Sequence, residues 1–161
     1  MFMTEKLHAY VEKLKAKNEA LVVSVIEGHG EVTVVVPRDA IVDACRFLKE
    51  EHGFDLLADL CGCDRGPEDN PRFEVNYHLF STKHFNRLRL KVLLSEDEIH
   101  VHTVTHIWRT ADWHERETYD LVGIIFDGHP DLRRIQLPSD FDGHALRKDY
   151  PLRGYEPYSL N

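Results

Sequence analysis

Histidine is the first residue type here whose abundance invites chemistry, with 11 in 161 residues. His100 and His102 are two apart in a stretch suited to a strand, so they share a face, and His106 follows closely. Three imidazoles and an open fourth position suit zinc. No HExxH pattern and no carboxylate at a fixed spacing accompanies them, so a polar sheet face is the plainer reading. Cys61 and Cys63 flank a single glycine, and Cys45 stands apart. An iron–sulfur cluster takes four cysteines at characteristic spacing, so small buried hydrophobes are the plainer reading of these thiols. Glu115, Glu117 and Asp120, with His129 or His144, offer the residue types of acid–base catalysis. No nucleophile pattern, phosphate-binding glycine loop or cofactor fingerprint accompanies them. Paired carboxylates that fix an interface are the preferred reading.

Composition narrows the classes. The net charge is −8 and the pI about 5.7. Nucleic-acid binding needs a basic face, and a polybasic membrane anchor needs one too. No apolar run approaches the roughly 20 residues of a membrane span. Charged residues throughout residues 1–17 argue against a signal peptide. Three cysteines without a disulfide pattern fit a reducing compartment.

The elements that must position these groups read as α+β. A helix is expected over residues 4–17, capped by Thr4, with Leu7, Tyr10, Val11 and Leu14 on one stripe. Residues 21–26 and 32–36 read as a hairpin around Gly28, His29 and Gly30. A second helix over residues 40–52 has Asp39 as cap and Gly53 as stop. Residues 56–63 suit a buried strand, 65–71 a loop, and 72–81 and 87–94 alternate as half-buried strands. Residues 99–104 supply a last strand, giving one mixed sheet with helices on one face. A third helix over residues 110–122 has Thr110 as cap and Gly123 as stop. Its wheel places Asp112, Arg116 and Asp120 on a solvent-facing ion stripe. Glu115 and Glu117 fall on apolar sides, where buried carboxylates need partners such as Arg133, Arg134, Arg147 or Lys148. Beyond Arg134 the chain is polar and proline-containing, with no regular apolar spacing to pack as an element on its own core. Residues 1–135 are expected as the α+β domain and residues 136–161 as an extended strap.

The third helix and the segment after it carry a resemblance. The run WHERETYDLVG, residues 113–123, includes Trp113, Glu115, Arg116, Glu117, Tyr119, Asp120 and Gly123. The run FDGHPDLRRI, residues 126–135, adds His129, Pro130, Asp131, Leu132, Arg133 and Arg134. Leu137, Pro138, Gly143 and His144 precede LRKDYPL, residues 146–152, with Arg147, Lys148, Asp149, Tyr150 and Pro151. Together these resemble, in order over about forty residues, the signature of the thirty-kilodalton subunit family of respiratory complex I, the C subunit of NADH-quinone oxidoreductase. Gln136 stands where the family often has leucine, and Ala145 where it has proline. The chain looks like the standalone form, without the D-subunit sequence fused in some relatives.

The resemblance implies a cofactor-free structural subunit with no catalytic residue of its own. FMN, iron–sulfur clusters and quinone would belong to partner subunits. The implied partners are the D subunit and an iron–sulfur subunit, in the hydrophilic arm of a proton-translocating enzyme. Membrane association would run through that complex, on the cytoplasmic side of the plasma membrane. Similar subunits serve membrane-bound hydrogenases, formate hydrogenlyases and deazaflavin-dependent dehydrogenases, which stay open as alternatives. An independent metal protein built on His100, His102 and His106 is the alternative from another class.

Overall fold

The computed structural model describes residues 2–154, with side chains from residue 6 onward. Helix α1 (Phe2–Lys17) precedes strands β1 (Ser24–Gly28) and β2 (Glu31–Val35), and α2 (Ile41–His52) follows. Strands β3 (Leu56–Asp64), β4 (Phe73–Ser81) and β5 (Asn86–Leu94) come next. The described chain then forms β6 (His100–His102), α3 (Ala111–Val122) and β7 (Ile125–Asp127). The α+β class holds: the main sheet has five strands in the order β1-β2-β5-β4-β3. Its one parallel pairing is β2 with β5, and the other neighbours are antiparallel.

Local sequence explains much of this. The β1–β2 hairpin closes over His29 and Gly30, whose φ values of 54° and 78° match the right-handed twist of a two-residue turn. The period-2 alternation of β4 and β5 puts Phe73, Val75, Tyr77, Leu79, Leu88, Leu90 and Val92 on one buried face. Leu7, Val11 and Leu14 of α1 and Ile41, Ala44 and Leu48 of α2 join them in one core. The opposite face is polar. Lys91 pairs with Glu74 at 2.7 Å, and Arg89 donates to Thr33 at 2.7 Å. Gly53 ends α2 in the left-handed region, as expected.

Several expectations are corrected. Strand β3 is the sheet edge rather than a fully buried strand, with Cys61 and Cys63 on the exposed face and a bulge between Leu57 and Asp59. Only Cys45 is a buried thiol among the described residues. Residues 99–104 do not extend the main sheet. Only His100–His102 is a strand, and it pairs in parallel with β7 in a second, two-stranded sheet. Residues 19–21 form a short 3-10 turn capped by Asn18, so β1 starts later than expected. Asp39 and Thr110 do not cap their helices. Asp39 accepts from Arg38 at 3.1 Å, and Thr110 donates to the carbonyl of Leu57 at 3.2 Å. Helix α1 starts before Thr4, whose side chain lies outside the described residues.

Candidate functional site

Helix α3 ends at Gly123, which adopts φ +84° and donates to the carbonyl of Tyr119 at 2.9 Å. The last carbonyls of a helix lack partners within it. Here the segment beyond β7 supplies them. Arg134 and His144 donate to the carbonyl of Asp120 at 3.0 and 2.9 Å. The Leu146 amide donates to Leu121 at 2.8 Å, and Arg147 Nε donates to Val122 at 2.8 Å. Two arginines at a helix C-terminus also complement its partial negative charge. Gly123 is needed for space as well as conformation. A Cβ there would stand 2.5 Å from His144 and 2.7 Å from Arg147.

Asp120 is the anchor of this arrangement. Its carboxylate is fully buried and accepts from Arg134 at 2.7 Å and from the amides of Ile135, Gln136 and Leu137 at 3.0, 2.7 and 2.9 Å. Burial pushes its pKa up, but the Leu137 amide, Arg134 and the other two amides outweigh that and hold it below the ordinary range. Arg134 reaches on to the carbonyls of Phe141 and Gly143 at 3.1 and 2.8 Å.

A second buried pair fastens the far end. Asp64 takes two hydrogen bonds from Arg72, at 2.9 and 2.8 Å, and one from the Lys148 amide at 2.8 Å. Hydrogen bonding to Arg72 is the largest influence and brings the Asp64 pKa down to about 2. Arg72 also binds Glu96 at 2.7 Å and Asp149 at 3.0 Å.

Glu115 behaves differently. It is fully buried and accepts from the Thr103 hydroxyl and, at 2.8 Å, from the Val104 amide. Burial raises its pKa from 4.5 to about 7 against these two hydrogen bonds. The expected cationic partner is absent among the described residues. The nearby imidazole of His129 has its Nε2 4.0 Å away. That ring accepts from the Asp131 amide at Nδ1, so Nε2 carries hydrogen and donates to the carbonyl of Asp112.

The expected solvent-facing ion stripe is overturned. Arg116 and Asp120 are buried beneath residues 133–137 and only Asp112 is partly open, because the following segment folds back over that side. Arg116 donates to the carbonyl of Arg133 and lies over the Trp113 ring at 5.2 Å. Glu117 is half-buried and accepts from Gln136 at 3.0 Å. Tyr119 meets the His144 ring edge-on, and Leu132 packs against the core. Asp131 pairs with Arg133 at 2.8 Å, beside Pro130. Residues 136–150 hold no regular element, as expected, yet they are tied by hydrogen bonds to their own domain. Tyr150 stacks on Phe141 within this segment, and Pro151 follows it on the surface.

The outer side of α3 carries one exposed large apolar side chain, Trp113, and the segment after the helix carries another, Leu146. Trp113 is 63% exposed and Leu146 58% exposed. Trp113, Glu117 and Leu121 lie four apart on one helical stripe, and Leu146 is bonded to Leu121.

The histidine trio does not converge. His100 is held between Asp127 at 2.6 Å and Arg38 at 3.1 Å, and neither His102 nor His106 joins it in a ligand set among the described residues. A different set does form: Asp59, Cys61 and His78 bring donor atoms within 4.8 Å of one another. Sequence reasoning missed Thr103, Asp64 and Arg72. The Asp64–Arg72 pair brackets the 65–71 loop, so extending the expected 56–63 strand by one residue would have set Asp64 across the loop from Arg72, the first residue of the next expected strand.

Residues 34–156 match the family described as respiratory-chain NADH dehydrogenase, 30 Kd subunit. The NADH-quinone oxidoreductase C subunit of Geotalea uraniireducens is 48% identical over 158 residues, covering 97% of this chain and 95% of that protein. The corresponding C subunit of Geobacter sulfurreducens is 47% identical and covers 97% of each. The C 2 subunit of Rhizobium meliloti is 55% identical over 130 residues, covering 80% of this chain and 70% of that protein. Among solved structures, a trypsin-resistant fragment of Nqo5 superposes with a TM-score of 0.68 at 34% identity, covering 78% of this chain and 98% of the fragment. A chain of a membrane-bound sulfane sulfur reductase, an archaeal respiratory membrane complex, reaches 0.76 at 23% identity, covering 91% and 86%, a likeness of fold alone.

Proposed function

The chain belongs to the 30 kDa subunit family of respiratory-chain NADH dehydrogenase, and we propose that it serves that complex as a docking subunit without flavin, iron–sulfur cluster or quinone of its own. It is a subunit of NADH-quinone oxidoreductase. No helix among the described residues is long and apolar enough to cross a membrane. In the proposed role it packs against the D subunit and an iron–sulfur subunit of the hydrophilic arm, at the cytoplasmic membrane surface. It supports electron transfer from NADH to quinone by holding those two neighbours in register, while FMN, clusters and quinone stay with the other subunits.

The observation that carries this reading is the contrast between the two sides of α3. On the inner side Glu115 and Asp120 are committed to hydrogen bonds within the chain. Acid–base work on a substrate needs a group that can reach it. On the outer side Trp113 of α3 and Leu146 of the segment after it are exposed. An exposed tryptophan is among the side chains most often found as an interface anchor.

The test is affinity purification of the tagged chain from native membranes. Wild-type chain should bring down the D subunit and NADH:quinone reductase activity. Trp113→Ala combined with Leu146→Asp should retain the fold and lower co-purification at least about 10-fold, since one anchor residue is worth about 2 kcal/mol or more. Undiminished capture by a folded double variant would refute the docking face, and failure of wild-type chain to capture the D subunit would refute the function.

A further inference from the structure

We propose that Asp59, Cys61 and His78 form a binding site for a zinc-class divalent cation on the exposed face of the sheet. Asp59 and Cys61 are two apart beyond the β3 bulge and so share that face, and His78 of β4 stands directly opposite Asp59 in the register. The carboxylate, thiol and imidazole donor atoms all lie within 4.8 Å of one another. Zinc bonds of about 2.0–2.3 Å in a tetrahedron hold ligand atoms about 3.3–3.8 Å apart. Closing the remaining gap takes about 1 Å of movement, within reach of surface side chains on a paired ladder.

The surroundings favour a cation. Among the described residues no lysine or arginine pairs with Asp59, whose ion partner is His114 at 3.5 Å. His114 can therefore help to orient the carboxylate. The cations nearest along the sheet are committed elsewhere. Lys91 pairs with Glu74 at 2.7 Å, and Arg89, opposite His78, binds Glu31 at 3.3 Å and Thr33 at 2.7 Å; the charges of Arg89 and Arg87 still reach His78, where Asp59 and Glu31 oppose them. One sulfur, one nitrogen and one oxygen donor select a borderline metal such as zinc over calcium or magnesium, which favour oxygen-only shells. On binding, the Cys61 thiol gives its proton to solvent and the sulfur joins the metal. His78 binds through an imidazole lone pair, and a fourth position is left to water.

The test uses the untagged, metal-stripped full chain titrated with cobalt(II). A single equivalent should give a near-ultraviolet thiolate-to-cobalt charge-transfer band that zinc bleaches. Cys61→Ser should abolish the band, and Cys63→Ser should leave it. Asp59→Asn, His78→Ala and His78→Gln should each weaken cobalt binding at least about 10-fold. Circular dichroism checks that each variant is folded, and two substitutions at His78 guard against one that is not. A wild-type chain without the band, a band that survives Cys61→Ser, or binding indifferent to both His78 variants would overturn the site.

Discussion

Glu115→Gln should make the protein more stable above neutral pH and leave it nearly unchanged in mild acid. The Glu115 carboxyl has no cation against it among the described residues, and burial raises its pKa from 4.5 to about 7. A folded-state value above the unfolded one means that the folded state holds the proton more tightly. The stability linked to that proton is complete below pH 4.5 and is lost as pH rises through 7. The full loss corresponds to about 3 kcal/mol, at about 1.36 kcal/mol for each tenfold change in proton affinity. Glutamine mimics the protonated acid. Its carbonyl can accept from the Val104 amide, and its amide can donate to Thr103 Oγ1. Urea unfolding of both proteins from about pH 4 to 8.5 measures the effect. Their difference should be near zero at about pH 4 and grow to about 2–3 kcal/mol in favour of glutamine by about pH 8.5. Taking the difference cancels other groups, including His52, His78 and His144, whose pKa values burial pushes down. A pH-independent difference, or a wild type that is the more stable form in mild alkali, would refute the reasoning.

Two further substitutions probe how residues 133–150 are held against α3 and β3. Asp120→Asn should cost about 3 kcal/mol near neutral pH, because Arg134 loses its charged partner in a buried site. The Asp120 pKa is depressed, so its contribution holds above the ordinary value of 3.8 and is lost as pH falls through the folded value. The deficit should therefore shrink in acid, as read from urea midpoints at neutral pH and at the acid limit of folding. Arg72→Ala strands Asp64 as an unpaired buried charge and frees Asp149. It should cost about 3–5 kcal/mol, and limited trypsin digestion should cut at Arg147 and Lys148 faster than in wild type.

Much of the fold was readable from period and punctuation. The stripe of Leu7, Val11 and Leu14, the alternation along β4 and β5, and the stops at Gly53 and Gly123 are local signals, and each marks an element that forms. The cap residues were less readable. Asp39 and Thr110 have the right chemistry, but a neighbouring arginine and a carbonyl of β3 take their side chains. The C-terminal signature likewise pointed to the right segment without showing its state.

What the sequence determined by itself was the identity of the groups: carboxylates on α3, arginines after it, and a glycine between them. Only the tertiary structure decided their environments. A helical wheel assigns faces from one helix and supposes solvent beyond it. Here residues 133–150 fold back over the Arg116 and Asp120 side, turning a surface ion stripe into a buried one. Asp120 finds an arginine and three amides there, whereas Glu115, five residues earlier on the same helix, finds a hydroxyl and one amide. Desolvation and hydrogen bonding depend on what packs from outside the element, so the two carboxyls move in opposite directions.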